Sequence, residues 1–220
     1  QIELAGGVCV DVPTYASEDY AIDESRLRAA ITPRTKAIIF NNPTNPTGMA
    51  YGNDTLEMLA RVAKEYDLLI AADEIYTTYL YEGDFRPLRT LPGMDERVIT
   101  LNSFSKNFLM TGWRVGVIIA EPELLEVMND INGSLIYTAP SISQRAAIHA
   151  LTMRREIREK YVTAYRDRIF YTADRIEKLP YLSLVRPKGT FYLFPGIEKT
   201  GLTDDEFCNV LLDKAHILVS

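Results

Sequence analysis

The sequence predicts an α/β fold, a three-layer sandwich built on a mainly parallel sheet, followed by part of a small α+β domain. Three observations predict it. Short apolar runs rich in β-branched residues recur at 36–40, 68–72 and 98–101, and amphipathic helical segments lie between them. After Leu179 the pattern changes to short strands. Strands that alternate with helices favour a parallel sheet covered by helical layers.

The first quarter of the chain is predicted to contain strands and capped helices. Residues 8–12 alternate in polarity as a strand does, and Asp23 begins an amphipathic helix. The run at 36–40 is typical of a strand covered on both faces. Asn53 and Asp54 are expected to cap the helix that follows.

The middle of the chain continues the alternation. Buried strands are predicted at 68–72 and 98–101, and a fourth strand at 115–120 leads into a helix at 122–128. Residues 141–178 have a helical pattern in which charged faces indicate a solvated surface.

The last part of the chain is predicted to start a second domain. Residues 182–185 and 190–194 resemble strands, and Thr203 begins a capped helix. We therefore expect a large domain over residues 1–175 and the beginning of a small C-terminal domain over residues 176–220. Both ends of the chain look like cuts in a longer polypeptide, so both domains are expected to be partial.

Composition excludes several classes of partner. The apolar fraction of 47% and the charged fraction of 25% are ordinary for a globular protein, and the net charge of −6 argues against binding to nucleic acid or to an anionic membrane. We find no apolar run near the roughly 18 residues of a membrane span and no signal peptide. The widely separated cysteines predict free thiols in a cytoplasmic protein, and His216 has no companion at metal-ligand spacing.

The most informative segment is residues 103–114, SFSKNFLMTGWR. The amine of Lys106 can condense with an aldehyde. The hydroxyls of Ser103 and Ser105 and the guanidinium of Arg114 can hold a phosphate. Pyridoxal 5′-phosphate carries both groups, an aldehyde and a phosphate. Taken alone, the segment could be an ordinary loop, because Ser-x-Ser-Lys occurs by chance in many loops, but two upstream segments favour a site for that cofactor.

Asp73 follows the strand predicted at 68–72, and Tyr76 lies close behind it. A carboxylate at this point can pair with the ring nitrogen of pyridoxal phosphate and keep it protonated, which strengthens the ring as an electron acceptor. Tyr76 can donate its hydroxyl to the ring oxygen. The side chain of Glu74 should point the other way. Taken alone, Asp73 could also be a turn or helix-capping residue, since aspartate is common at strand ends.

The loop at residues 42–48, NPTNPTG, leaves the carboxyl end of the strand at 36–40, where α/β sheets bind ligands. Its prolines stiffen the loop and would present the amide of Asn45. Taken alone, the loop could be a turn without function. However, Asn45, Asp73 and Lys106 are each separated by about 30 residues, the length of one βαβ crossover, and should therefore meet at one sheet edge.

Together these motifs resemble the class I/II aminotransferases, which are fold-type I enzymes dependent on pyridoxal phosphate. The resemblance extends over essentially the whole chain. It is carried by residues 45–48 (NPTG), 73–76 (DEIY), 103–106 (SFSK) and 112–114 (GWR), with a less specific match at 187–194 (PKGTFYLF).

The resemblance implies a role for each matching residue. Lys106 is expected to bond to the cofactor and then to shuttle a proton. Asp73 is expected to pair with the pyridinium nitrogen. Asn45 and Tyr76 are expected to contact the ring's phenolic oxygen.

The phosphate contacts implied by the resemblance are Ser103, Ser105 and Arg114. The implied substrates are an amino acid and a 2-oxo acid, and the implied assembly is a homodimer in which a segment around residues 137–141 reaches the partner's site. In this family a phosphate loop, a ring-stacking aromatic residue and the arginine that binds the substrate carboxylate lie outside the region matched. We therefore expect this segment alone to be inactive.

Three functions are compatible with these motifs. Transamination is the leading hypothesis. A carbon–sulfur β-lyase would use the same cofactor residues, because the bond that reacts is chosen by its alignment against the ring. The third is a cofactor-binding effector domain of a transcription regulator, which would require a basic winged-helix segment upstream.

Overall fold

The computed structural model describes residues 1–219 and has an α/β fold. Its main sheet has four strands in the order β1-β2-β3-β4. The pairs β1–β2 and β2–β3 are parallel, whereas β4 runs antiparallel to β3. The predicted mainly parallel sheet is therefore confirmed. The strands are β1 (Ala37–Asn41), β2 (Leu69–Asp73), β3 (Val98–Ser103) and β4 (Gly116–Ile119).

The helices fall largely where the sequence predicted them. They are α1 (Glu24–Ala30), α2 (Asn53–Glu65), α3 (Phe104–Asn107), α4 (Pro122–Leu135), α5 (Ser141–Thr152), α6 (Arg154–Ile157), α7 (Thr163–Ile176) and α8 (Asp204–Val210). Wider π-helical turns at Arg158–Val162 and Leu211–Ala215 follow α6 and α8. Asp23 caps α1 by accepting the Arg26 N–H at 2.7 Å, and Thr203 caps α8 in a capping box, as predicted.

The main apolar core lies between α2 and the parallel strands. The buried side of α2 includes Leu59 and Val62, which pack with Ile70 of β2 and Val98 of β3. Buried and partly buried residues alternate along β2, because successive side chains point to opposite faces of the sheet. A second cluster joins the α3 region to α5 and contains Phe104, Met110, Val115, Ala147 and Ala150.

The predicted strand at residues 8–12 is wrong. These residues form no regular element, and Val8 is 79% exposed. A strand needs a neighbour to take its backbone hydrogen bonds. Alternating polarity alone does not provide one, and within residues 1–219 no strand pairs with this segment.

Two details around β1 also differ from the prediction. Ile39 of β1 is 63% exposed, so this edge strand is not covered on both faces. The N-cap of α2 is Gly52, which makes no side-chain cap. Asn53 and Asp54 lie inside the first helical turn, where the negative charge of Asp54 interacts favourably with the helix dipole.

The second predicted C-terminal strand is wrong as well. Residues 190–194 are irregular because Thr190 adopts a left-handed backbone with φ of 61°, which interrupts an extended chain. Two short antiparallel strands flank this irregular segment, Ser183–Leu184 (β5) before it and Pro195–Gly196 (β6) after it. The strand predicted at 182–185 is therefore present but short. The domain boundary near residue 175 stays a prediction.

Within residues 1–219, no helix has both the length and the apolar character needed to cross a membrane. Cys9 and Cys208 are free thiols.

Candidate active site

The register of the sheet brings the predicted site residues to one edge. Asn41 pairs with Asp73 across β1 and β2, and Asp73 pairs with Leu101 across β2 and β3. Asn45 follows Asn41 by one tight loop, and Lys106 follows Leu101 within the short helix α3. Since parallel strands end at the same side of a sheet, these groups emerge together.

Asn45 and Tyr76 are brought into direct contact. The Nδ2 of Asn45 donates to the Tyr76 hydroxyl at 3.4 Å. The loop that carries Asn45 is bound to β1, because the backbone N–H of Asn45 donates to Asn41 Oδ1 at 2.7 Å. Asn41 in turn donates to the carbonyl of Asp73 at 2.9 Å. Burial raises the pKa of Tyr76, so Tyr76 is a neutral hydrogen-bond donor.

Lys106 lies in α3, and the cap of that helix sets its position. Ser103 is the N-cap, and its hydroxyl oxygen accepts the Ser105 N–H at 3.1 Å. The Tyr79 hydroxyl donates to the Lys106 carbonyl at 3.1 Å. The Nζ of Lys106 lies 5.6 Å from the centroid of the Phe191 ring. The amine is therefore half-buried beside an aromatic face.

Asn107 joins the lysine helix to the segment after β2. Its Nδ2 donates to Thr77 Oγ1 at 3.1 Å and to Asn102 Oδ1 at 3.0 Å. The backbone N–H of Thr78 donates to Asn107 Oδ1 at 3.1 Å. The side chain of Asn107 is buried and satisfied at both ends, so it holds the segments of Lys106 and Tyr76 in a fixed relation. The sequence analysis did not identify this residue.

Asp73 and Glu74 point to different surroundings, as predicted. Asp73 Oδ1 accepts one long hydrogen bond, from the Ile75 N–H at 3.4 Å, and burial raises the pKa of Asp73. Glu74 is 4% exposed and accepts the Leu88 N–H at 3.1 Å. Burial raises the pKa of Glu74 to about 7. Because the half-buried Asp73 carboxyl accepts only one long hydrogen bond, it can accept another from a cationic donor.

Arg114 lies on an exposed turn after α3, with φ of 52°. One guanidinium nitrogen donates to the Thr111 carbonyl at 3.0 Å, which leaves its other N–H groups available to an anion. Within residues 1–219, no hydrogen bond joins Arg114 to Ser103 or Ser105. Their joint role at a phosphate therefore stays a prediction.

Tyr192 and Phe191 are site residues that the sequence analysis did not single out. The Tyr192 hydroxyl lies 2.9 Å from the Tyr76 hydroxyl, and the Phe191 ring packs on both Tyr76 and Tyr79. The only signal in the sequence was the motif at 187–194. It indicated the segment but not which of its side chains turn toward β2.

The fold and the site define an α/β protein that presents a lysine, a carboxylate and a paired amide and phenol at the carboxyl edge of its sheet. Comparison with known proteins extends this to a family. The full chain, residues 1–220, matches the family described as aminotransferase class I and II. The chain belongs to that family, whose members depend on pyridoxal phosphate.

Individual relatives agree with this assignment. The chain is 35% identical to an aspartate aminotransferase from Bacillus sp. (strain YM-2), covering 100% of this chain and 58% of that protein. It is 37% identical to an aromatic-amino-acid aminotransferase 2 from Thermococcus litoralis, and the match covers 98% of this chain and 56% of that protein. A solved structure of Thermus thermophilus aspartate aminotransferase with maleate superposes with a TM-score of 0.92 at 36% identity. The match covers 96% of this chain and 56% of that one. The chain thus spans a little over half the length of these relatives.

Proposed function

We propose that the full-length protein containing this chain is a pyridoxal-phosphate-dependent aminotransferase that transfers an amino group between an amino acid and a 2-oxo acid. The observation that carries the proposal is the contact between Asn45 and Tyr76 at the sheet edge from which Asp73 and Lys106 also emerge. These are an amide, a phenol, a carboxylate and an amine, which match the phenolic oxygen, ring nitrogen and aldehyde of the cofactor.

The donor set fits the cofactor ring. Asp73 has a carboxyl oxygen with one long hydrogen bond, and burial without a cation raises its pKa. A protonated ring nitrogen would offset that burial and hold Asp73 ionised. Asn45 and Tyr76 are both donors and would converge on the ring's phenolic oxygen. When bound, the cofactor supplies an electron-accepting ring beside the substrate's α-carbon.

The phosphate would be held by Ser103, Ser105 and Arg114. The Ser103 oxygen already accepts the Ser105 N–H, so its own hydrogen remains free to donate. Arg114 uses one N–H on the chain and has a planar fork of donors left for phosphate oxygens.

Lys106 would bond to the cofactor aldehyde and, once released by the incoming amino acid, move a proton at the α-carbon. Its surroundings suit this role. The Tyr79 hydroxyl fixes the backbone of Lys106, while the amine lies 5.6 Å from the centroid of the Phe191 ring. The amine can thus swing on its flexible stem while its helix stays fixed.

A substrate panel tests the proposed reaction. The full-length protein is incubated with pyridoxal phosphate, a set of amino donors and a set of 2-oxo acceptors, and formation of the new amino acid is measured. Release of pyruvate or thiol is followed in parallel to detect β-elimination. Amino transfer to at least one acceptor supports the proposal. Elimination without transfer would favour the lyase, and cofactor binding without turnover of any substrate would favour the effector domain.

The assembly and location are also proposals. We propose that the full-length protein is a cytoplasmic homodimer. The segment expected to reach a partner begins at Tyr137, which is 77% exposed, and it is flanked in the sequence by the exposed Ile136 and Ile142. Apolar side chains clustered on a surface are typical of interfaces. Light scattering of the full-length protein should give twice the subunit mass, and a monomer at micromolar concentration would contradict this.

A further inference from the structure

Tyr192 meets Tyr76 although the two residues are 116 positions apart. Their hydroxyl oxygens are 2.9 Å apart, and their rings meet edge to face with centroids separated by 5.6 Å. The Nδ2 of Asn45 donates a hydrogen bond to the same Tyr76 hydroxyl at 3.4 Å. Three polar groups from three separate segments therefore form one hydrogen-bonded chain.

The turn that carries Tyr192 is held from two sides. The Gly48 carbonyl accepts the N–H groups of Lys188 and Gly189 at 2.8 and 2.9 Å, and the Thr190 N–H donates to the Tyr79 carbonyl at 2.7 Å. The approach at Gly189 is so close that an added Cβ would lie 2.7 Å from the Tyr79 oxygen. The Thr190 side chain is fully buried. Tyr192 is therefore fixed against Tyr76 by backbone contacts, independently of its own hydroxyl.

The contact with Asn45 constrains the direction of the remaining hydrogen bonds. An amide nitrogen can only donate, so Asn45 occupies an acceptor position of the Tyr76 oxygen. Tyr76 has one hydrogen to give. If Tyr76 donated it to Tyr192, no hydrogen would remain for a ligand. If Tyr192 donates instead, the hydrogen of Tyr76 is free to point into the site.

We propose that Tyr192 is a positioning residue that donates to the Tyr76 hydroxyl and so directs the single hydrogen of Tyr76 to the phenolic oxygen of pyridoxal phosphate. This inference rests on the proposed function. The chain of donors also polarises the Tyr76 O–H bond, which strengthens its hydrogen bond to an anionic oxygen. Tyr192 touches neither substrate nor cofactor in this role and acts through Tyr76.

The Tyr192→Phe variant removes the hydroxyl and keeps the ring that packs on Tyr76. The full-length protein is loaded with pyridoxal phosphate, and the visible band of the lysine-bound cofactor is titrated with pH. Weaker donation to the phenolic oxygen makes the imine nitrogen more basic. We expect the midpoint of the titration to rise by about 0.5 to 1 unit, the size of one hydrogen bond.

Two comparisons separate positioning from a structural effect. Tyr81→Phe is the matched control, because the Tyr81 hydroxyl donates to the Thr190 carbonyl in the same turn but does not contact Tyr76. Its titration midpoint should equal that of the wild type, whatever its thermal stability. In a Tyr76→Phe background, adding Tyr192→Phe should cause no further shift, because the effect passes through Tyr76.

An unchanged midpoint in Tyr192→Phe would overturn the inference, as would a full further shift in the Tyr76→Phe background. A wild-type protein with no visible band after loading would instead overturn the proposed cofactor site, and this inference with it. The two failures are therefore distinguishable.

Discussion

The Asp73 carboxyl group lies where its charged form is disfavoured by burial and where a cationic partner would stabilise it. Its carboxyl group is half-buried at the end of β2 and has one hydrogen bond of 3.4 Å. Burial disfavours the charged form, which raises the pKa of Asp73. A cationic ring nitrogen would favour the charged form, so cofactor and carboxylate are expected to stabilise each other.

Asp73→Asn tests that pairing. The amide keeps the shape of the side chain but cannot hold a ring nitrogen protonated. We expect the full-length variant to bind the cofactor, as judged by its visible band, while single-turnover proton transfer slows by about two orders of magnitude or more. Asp67→Asn, at an exposed carboxylate paired with Arg97, is the control and should leave the rate unchanged. Near-normal turnover in Asp73→Asn would contradict the pairing.

The sequence could predict a set of candidate site residues because their chemistry is visible in it. A lysine among hydroxyls and a carboxylate after a buried strand are readable signals. Tyr192 and Asn107 could not be found in this way. Tyr192 reaches Tyr76 from a turn in which Thr190 has a left-handed backbone, and Asn107 acts through contacts with Thr77 and Asn102. Neither contact follows from spacing along the chain.

At the scale of elements, the site depends on the contact between the Asn45 loop and the turn at residues 188–192. Gly48 makes the contact possible. It has φ of 73°, and an added Cβ would lie 2.5 Å from the Pro187 Cβ and 3.3 Å from the Tyr192 carbonyl oxygen. A side chain at this position meets both an unfavourable backbone angle and occupied space.

Gly48→Ala is therefore expected to destabilise the protein by about 2 kcal/mol or more, because a left-handed alanine costs about 1 to 2 kcal/mol and the overlap with Pro187 adds to it. The free energy of unfolding is measured by denaturant titration. Gly133→Ala is the matched control, since Gly133 lies inside α4, has no positive φ and has no atom within 4 Å of an added Cβ. Equal stability of the two variants would show that the loop and the turn are not in close contact.

Element prediction succeeded where local and tertiary preferences agree. One face of β2 and of β3 is buried and the other is partly buried, so their apolar runs report their environment. Residues 8–12 and 190–194 failed because strand pairing is a non-local property. The first segment has no pairing partner within residues 1–219, and the second is bent by the buried Thr190. Thr203 was a reliable signal because a capping box is complete within four residues.

At the scale of the whole molecule, Glu74 couples folding to pH. It is a buried carboxyl whose pKa is raised to about 7 from an ordinary value of 4.5. Between these values the unfolded chain has released the proton while the folded protein retains it. The folded state then binds more protons, so stability falls as pH rises through this range.

Glu74→Gln removes this dependence and keeps an oxygen that can accept the Leu88 N–H. We expect the variant to gain stability relative to wild type as pH rises from about 4.5 to about 7, by about 2 to 3 kcal/mol in total. Denaturant titrations at a series of pH values measure the difference. Glu57→Gln, on the exposed side of α2, is the control. A difference between Glu74→Gln and wild type that stays constant with pH would contradict the buried, protonated state.

The central claim is that Lys106 is the residue that bonds to pyridoxal phosphate. The most direct measurement is reduction of the cofactor-loaded, full-length protein with borohydride, followed by mass spectrometry of its peptides. The account predicts a phosphopyridoxyl group on Lys106, and loss of both this label and the visible band in Lys106→Ala. A label on another lysine, or a visible band that persists in Lys106→Ala, would contradict it.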